Sequence, residues 1–394
     1  MYSKDPSILR RLPAIVCLSL MVLIGSSSPT SASEPDFRTA AVYFAEGRYD
    51  ASEERLSRGL DRETHTEAVA LYFRARIAAY LGDSEAAFTL FERIIEADPS
   101  HANAHYRLGV IYGERAEKAS FLGKPVNARN ARKAFERAIE LDPRHHPARR
   151  ALIEYYIHAP GILGGGMEEA TAMVDSFLAI DPTRGHLARA LVHAEEEDQA
   201  REEASYRSAI ASSPESARPK RWLATFLDRH GRRDEGIRLL EDHFQKHPPS
   251  PLAILRLSSL YLQANRPADA LQLADSALSA LSDSMTAVLA DSIRNKTDVD
   301  RLIRIQTRKM RALFTKGHYV ARTGEDLAGG REALSQYLAL APDSRRPNRA
   351  HAHFFLGRID EQLGDLSTAK QSYQTALRIN EKHEPARKAL DTLD

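Results

Sequence analysis

Residues 131–143 read ARKAFERAIELDP, and this stretch decides the fold class. Ala131, Phe135 and Ala138 recur at helical spacing, so they share one face of a helix. Pro143 ends that helix, because proline lacks the backbone donor and clashes with the preceding turn. Alanine on this face lets another helix approach closely, and phenylalanine fills the space between helices. The stretch therefore predicts the second helix of a tightly packed hairpin.

The first helix of the same hairpin is predicted at residues 104–112, AHYRLGVIY. Leu108 and Tyr112 lie on one face, and Gly109 is small enough for the second helix to come close. Similar helix ends recur at Pro99, Pro143, Pro182, Pro214 and Pro248. The gaps between them are 44, 39, 32 and 34 residues. A period near 34 residues made of two helices predicts an array of stacked hairpins.

Residues 35–392 resemble the tetratricopeptide-repeat (TPR) family in this period and pattern. Copies of the pattern, some of them weaker, are found at residues 35–67, 68–101, 183–216, 217–250, 251–284 and 350–383. The resemblance implies an all-α, right-handed α-solenoid of about nine stacked helix hairpins. It also implies a concave groove that receives peptides or helices. Glu384 to Leu393 is expected to form a capping helix over the last apolar face.

The chain divides into four expected segments: a signal peptide at 1–33, an array of about seven TPR helix pairs at 34–283, a divergent long-helix segment at 284–328, and a C-terminal TPR unit with its capping helix at 329–394. Insertions interrupt the array at 113–130 and 157–169. Insertions in solenoids map to loops, often on a working face, so we expect loops there. The divergent segment is expected to form an extended or divergent helix pair, with a hinge between a larger N-terminal array and a short C-terminal one as a further interpretation.

The first 33 residues have the layout of a secretory signal peptide. A basic start is followed by an apolar run of 13 residues from Leu12 to Ile24 and then by small polar residues. A single membrane anchor is the alternative, but a span needs roughly 20 apolar residues. We therefore expect cleavage after Ala32 or Ser33. Secretion across the inner membrane would place the mature protein in the periplasm, with no remaining membrane span.

Composition limits the chemistry that the chain could perform. Apolar residues make up 43% and charged residues 28%, which fits a soluble folded protein. The formal charge of +1 gives no overall bias toward nucleic acid, so no nucleic-acid partner is expected. Cys17 is the only cysteine, and it lies within the apolar run. The mature chain would then have no thiol for disulfides, catalysis or metal ligation.

The glycine-rich stretch GILGGGM at 161–167 invites a phosphate-loop interpretation. Gly161 and Gly166 have the required spacing, but Met167 stands where lysine should be and no strand precedes them. We interpret the stretch as a tight interhelical loop, with a partner contact or a ligand site as alternatives. Gly329–Gly330 is expected to form a similar tight interhelical loop. A nucleophile elbow is also absent from the sequence, so we expect no enzyme and no cofactor.

Several histidines come in close pairs: His101 with His105, His145 with His146, and His351 with His353. A zinc site wants three or four ligands, and the sequence offers no further constellation beside these pairs. We therefore interpret them as helix ends or solvated faces, and we expect no metal site.

The family resemblance implies which residues face the groove. In TPR repeats the fifth and ninth places of each first helix tend to face inward. The partner-binding candidates chosen from these places are Tyr72, Arg76, Tyr106, Arg150, Arg221, Phe354 and Arg358. Arginine and tyrosine concentrate binding energy at interfaces, so the hypothesis is an acidic or carboxylate-bearing peptide partner. An ordinary solvated helix surface is the alternative.

One specific TPR site is not expected. Arg107 and Ala151 occupy the places where chaperone-tail-binding TPR domains carry lysine and asparagine. The sequence thus favours a non-enzymatic protein-interaction scaffold in the cell envelope. The main alternative is a polysaccharide or small-ligand binding protein of a surface-polymer or secretion system. A further alternative is an accessory domain of an enzyme.

Overall fold

The computed structural model describes residues 36–58, 65–120, 123–247, 250–291, 293–342 and 349–393. These ranges contain nineteen α-helices and no strand. The helices are α1 (Phe37–Ala45), α2 (Tyr49–Ser57), α3 (His65–Leu81), α4 (Ser84–Ala97), α5 (Ala102–Lys118), α6 (Gly123–Leu141), α7 (His146–His158), α8 (Met167–Ile180), α9 (Pro182–Glu195), α10 (Gln199–Ser212), α11 (Ala217–Arg229), α12 (Arg233–Lys246), α13 (Pro251–Gln263), α14 (Pro267–Ala290), α15 (Lys296–Thr323), α16 (Leu327–Leu340), α17 (Arg349–Gln362), α18 (Leu366–Ile379) and α19 (Glu384–Asp391). The expected signal peptide lies outside the described residues.

Consecutive helices pack as hairpins, from α1 with α2 to α17 with α18, and α19 lies alone on α18. The predicted all-α solenoid with a terminal capping helix is therefore confirmed. The deciding stretch behaves as predicted, since Ala131, Phe135 and Ala138 are the buried face of α6. Gly109 on α5 lies against the Phe135 ring, and a Cβ there would overlap that ring. This is the close approach that a small residue permits.

The insertion at 113–130 does not form the expected loop. Residues up to Lys118 extend α5, and residues from Gly123 onward extend α6. The inserted sequence is rich in alanine, arginine, lysine and glutamate, which are good helix formers. The insertion therefore lengthens both helices of the third hairpin.

The second insertion does contain a loop between α7 and α8. Gly161–Leu163 forms a short 3₁₀ turn, and Gly164 follows with a left-handed φ of +78°. Gly329–Gly330 differs from the expectation of a similar loop, because both glycines lie in the first turn of α16. Asp326 caps that helix by accepting a hydrogen bond from the Gly329 amide at 3.2 Å.

The long helix α15 is not the expected hinge. It has 28 residues and packs against α1, α3, α13, α14, α16 and α17. One continuous apolar cluster joins the first two hairpins to α15 and to the hairpins around it. The middle hairpins have separate, smaller clusters. The solenoid therefore turns back on itself, and α15 is the element on which its two ends meet.

Polar contacts secure this closure at several points. Gln306 of α15 donates a hydrogen bond to the Ala45 carbonyl at 3.2 Å. The Tyr49 hydroxyl donates to the Leu340 carbonyl at 2.5 Å. These bonds join the first hairpin to the eighth, so the closure depends on directed contacts as well as on apolar burial.

Three histidines start helices in place of the usual serine or aspartate. His101, His145 and His383 each accept a hydrogen bond at Nδ1 from the amide three residues on, at 3.1 to 3.2 Å. All three side chains are buried. Each also packs against an aromatic ring of the preceding hairpin: Tyr72, Tyr106 and Phe354 respectively. These histidines therefore serve as helix N-caps.

Candidate functional site

A cavity of about 960 Å³ lies between the middle hairpins and the long helix. One side, which we call the repeat wall, is formed by the first helices of three successive hairpins, α7, α9 and α11. The opposite side, the long-helix wall, is formed by the first half of α15. The cavity exists because the solenoid curves back toward α15. It therefore occupies the place where a TPR array would present its concave groove.

Arginines dominate the lining of this cavity. They are Arg150, Arg184, Arg218, Arg221, Arg301, Arg304 and Arg308. Among the described residues of the lining, Glu154 is the one acidic side chain. Glu154 accepts a hydrogen bond from Arg150 at 2.9 Å, and Arg184 pairs with Asp181 at 3.0 Å. Within the described ranges, the other five arginines have no carboxylate within 4 Å.

The arginines repel one another across this space. Burial first, and then the positive charges of Arg218, Arg311, Arg150 and Arg308, together lower the pKa of Arg221 to about 10. The pKa of Arg308 is lowered in the same way, first by burial and then by the charges of its neighbours. An anion placed in the cavity would relieve this repulsion. The site is therefore suited electrostatically to a ligand of negative charge.

Trp222, the only tryptophan of the chain, lies in the repeat wall. The guanidinium carbons of Arg150 and Arg221 lie 5.3 and 5.1 Å from its ring centroid. Cation–π contacts of this kind hold arginine side chains in place without neutralising their charge. Trp222 therefore orients two of the arginines that would meet a ligand.

The seven partner-binding candidates fall into three groups. Tyr106, Arg150 and Arg221 line the cavity. The others lie elsewhere. Phe354 packs against His383 in the last hairpin, with ring centroids 5.4 Å apart. Arg358 pairs with Glu361 on the same helix at 3.4 Å. The structure therefore brings together three candidates at one site and places these two in the C-terminal unit.

Tyr72 and Arg76 lie in the groove of the second hairpin, but the chain itself covers them. Both are buried beneath the start of α15, where they meet the carboxylate of Asp300. The Tyr72 hydroxyl lies 3.1 Å from both carboxylate oxygens. Asn103 donates to Oδ2 at 3.0 Å, and Arg107 lies 3.7 Å from Oδ1. We call these four residues around Asp300 the Asp300 clamp. Burial makes Tyr72 and Arg76 unavailable to a partner in this conformation.

Sequence reasoning missed the long-helix wall. Arg301, Arg304 and Arg308 follow one another at three- and four-residue spacing, which places them on one face of α15. The apolar residues of the same helix, such as Leu302, are buried on the other side. The arginine spacing is visible in the sequence. What the sequence could not reveal is that this face turns toward the repeat wall.

Two properties of the described residues bear on other kinds of site. Within them, no cluster of three or more histidine, cysteine, aspartate or glutamate side chains is placed to hold a metal ion. In the same ranges, no helix combines the length and hydropathy that a bilayer crossing requires.

Comparisons with known proteins identify the repeat. A tetratricopeptide-repeat family model matches residues 37–102, 72–119 and 223–284, and a second tetratricopeptide-repeat model matches residues 350–383. No curated protein matches the sequence.

Several solved structures are similar to this chain. A tetratricopeptide-repeat protein from Parabacteroides merdae is 14% identical, with a TM-score of 0.40, and the match covers 68% of this chain and 96% of that one. PilW, a type IV pilus biogenesis factor, is 16% identical, with a TM-score of 0.44 and coverage of 63% and 99%. The Cut9–Hcn1 complex of the APC/C is 15% identical, with a TM-score of 0.44 and coverage of 90% and 62%.

Proposed function

Because the chain belongs to the tetratricopeptide-repeat family, whose members generally mediate protein–protein interactions, we propose that it is a non-enzymatic scaffold for a protein partner. The partner presents an acidic segment to the central cavity. The observation that supports this proposal is the imbalance of charge in the lining, where the described residues include seven arginines and one glutamate. The formal charge of the whole chain is only +1, so the excess is local to the cavity.

Reversing charge on the repeat wall tests this proposal. The double variant Arg150→Glu with Arg221→Glu should lose the acidic proteins that the wild type retains in a pull-down from a cell-envelope extract. Attraction becomes repulsion at two positions that face the same ligand. The matched control is Arg93→Glu with Arg144→Glu, two exposed arginines outside the cavity that should leave the retained proteins unchanged. Identical sets of retained proteins for both double variants would contradict the proposal.

We also propose that the scaffold works outside the inner membrane, in the periplasm. The basic start and apolar run of residues 1–33 support export by the general secretory route. Cell fractionation followed by N-terminal sequencing should find the protein in the periplasmic fraction, beginning at Ser33 or Glu34. Recovery from the cytoplasm with an intact Met1 would contradict this placement.

An acidic polysaccharide is the second candidate ligand. Trp222 supports it, because a flat aromatic face beside arginines could pack against a sugar ring while the arginines bind uronate carboxylates. The apolar side chains that share the cavity, among them Leu187, Leu191 and Leu252, favour a protein segment instead. Sugar polymers lack side chains that would bury against them.

A further inference from the structure

We infer that the cavity is a two-walled site, in which an acidic protein segment is held between the repeat wall and the arginines of the long-helix wall. This inference rests on the proposed function and deepens it. A partner in an open groove would meet the first helices of the repeats alone. Here α15 adds Arg301, Arg304 and Arg308 from the opposite side.

The positive charges of the long-helix wall do not stabilise the fold through ion pairs within the described residues. Arg301 and Arg304 are exposed to the cavity, and Arg308 is half-buried. Within the described residues, none of the three forms an ion pair, whereas arginines elsewhere in the fold commonly do, such as Arg256 with Asp228 at 2.8 Å. Unpaired arginines on one helix face repel one another and cost stability. Their spacing is therefore accounted for by a ligand and not by the fold.

The Asp300 clamp keeps this wall in place. Asp300 lies immediately before Arg301, and its carboxylate is held by residues of two first helices, α3 and α5. The clamp therefore fixes the start of α15 against the second and third hairpins. With that end fixed, the arginine face of α15 points toward α9 and α11 across the cavity. Asp300 is thus a positioning residue for the second wall.

The lining also restricts the chemistry of the ligand. Arginines on both walls require negative charge on two sides of the bound segment. In an extended peptide, successive side chains point to opposite sides, so neighbouring acidic residues reach opposite walls. Leu187 and Leu191 on one wall and Ile305 on the other offer apolar contacts between the charges. The ligand is therefore a segment in which acidic residues are interleaved with apolar ones.

Trp222 gives a direct readout of binding, because the only tryptophan of the chain lies in the cavity. The probe is a short peptide of repeated Glu-Glu-Leu triplets, titrated into the purified protein and followed by tryptophan fluorescence and by calorimetry. A matched peptide of Gln-Gln-Leu triplets carries no charge. Oligogalacturonate and inorganic tripolyphosphate represent acidic polysaccharides and phosphate polymers.

The expected result is saturable binding of the acidic peptide, weakened by added salt, and none of the neutral peptide. Arg304→Glu with Arg308→Glu on the long-helix wall should weaken binding about tenfold or more, and Arg150→Glu with Arg221→Glu should do the same. The control pair Arg93→Glu with Arg144→Glu should bind as the wild type does. Arg304→Gln with Arg308→Gln replaces the reversed pair if circular dichroism shows that the latter does not fold.

Three outcomes would overturn the inference, and they are distinguishable. If the repeat-wall variant loses binding and the long-helix variant keeps it, the groove has one functional wall, and the proposed function stands without this inference. If oligogalacturonate or tripolyphosphate binds more tightly than the acidic peptide, the ligand is an anionic polymer and not a protein segment. If no anion binds, the inference and the proposed acidic partner both fail.

Discussion

Replacing Asp300 by alanine is expected to lower the free energy of unfolding by about 3–5 kcal/mol, because it leaves buried charge without a partner. Arg76 is 7% exposed and Tyr72 is fully buried, so neither can turn to water when the carboxylate is removed. Asn103 also loses the acceptor that it has at 3.0 Å. The loss is larger than a surface ion pair would give, since exposed pairs contribute only about 0–1 kcal/mol.

Urea unfolding followed by circular dichroism measures this loss. Asp291→Ala is a matched control, because Asp291 lies just after α14, is exposed and should change stability by no more than about 0.5 kcal/mol. The double variant Arg76→Met with Asp300→Leu removes both charges together and should recover part of the stability. Hydrogen exchange should show faster opening of α3 and α15 in Asp300→Ala than in the wild type. Equal stability of Asp300→Ala and Asp291→Ala would show that the clamp does not hold the closure.

Acidification from pH 6.5 toward pH 4 is expected to destabilise the protein through its histidine caps. Burial first, and then the charge of Lys296, lower the pKa of His101 to about 4 against the opposing effect of Asp98. Burial also lowers the pKa of His145 and His383. In each cap the neutral ring accepts the first-turn amide at Nδ1, and a protonated ring could not.

The sign follows from proton linkage. The native state keeps these histidines neutral, whereas the unfolded chain binds protons below its ordinary pKa near 6.5. The contribution of these histidines to stability is therefore constant above pH 6.5, and it falls as the pH drops through the window between the two pKa values. His101 alone accounts for about 3 kcal/mol when the pH reaches 4, at about 1.4 kcal/mol for each unit between its two pKa values.

Substitution by asparagine distinguishes the effect of helix capping from the effect of histidine titration, because asparagine caps helices well and carries no titrating group. The triple variant His101→Asn, His145→Asn and His383→Asn should lose much less stability than the wild type between pH 6.5 and pH 4. Urea unfolding at several pH values measures both curves. A wild type and a triple variant with the same pH dependence would rule out the caps as its source.

The sequence by itself determined the helical hairpin array, because the signals that define it are local. Ala131, Phe135 and Ala138 lie within two turns of one helix, and the prolines that end helices act on the turn just before them. The capping helix was predictable for the same reason, because all the residues of its apolar face lie within one segment of eight consecutive residues. Three of the partner-binding candidates line the cavity: Tyr106, Arg150 and Arg221. They could be selected from the sequence because each was chosen by its position within a single repeat.

Only the tertiary structure decided the path of the solenoid and which distant helices come into contact. Solenoid curvature is the sum of small rotations between neighbours, and no local pattern records that α15 meets α1 and α3 again. Contacts such as Tyr72 with Asp300 join residues 228 positions apart. That return covers two candidate groove residues, replaces the expected hinge with a packed central helix, and turns an arginine face toward the repeat wall. The spacing of the arginines is visible in the sequence, but their position inside a cavity depends on the closure of the solenoid.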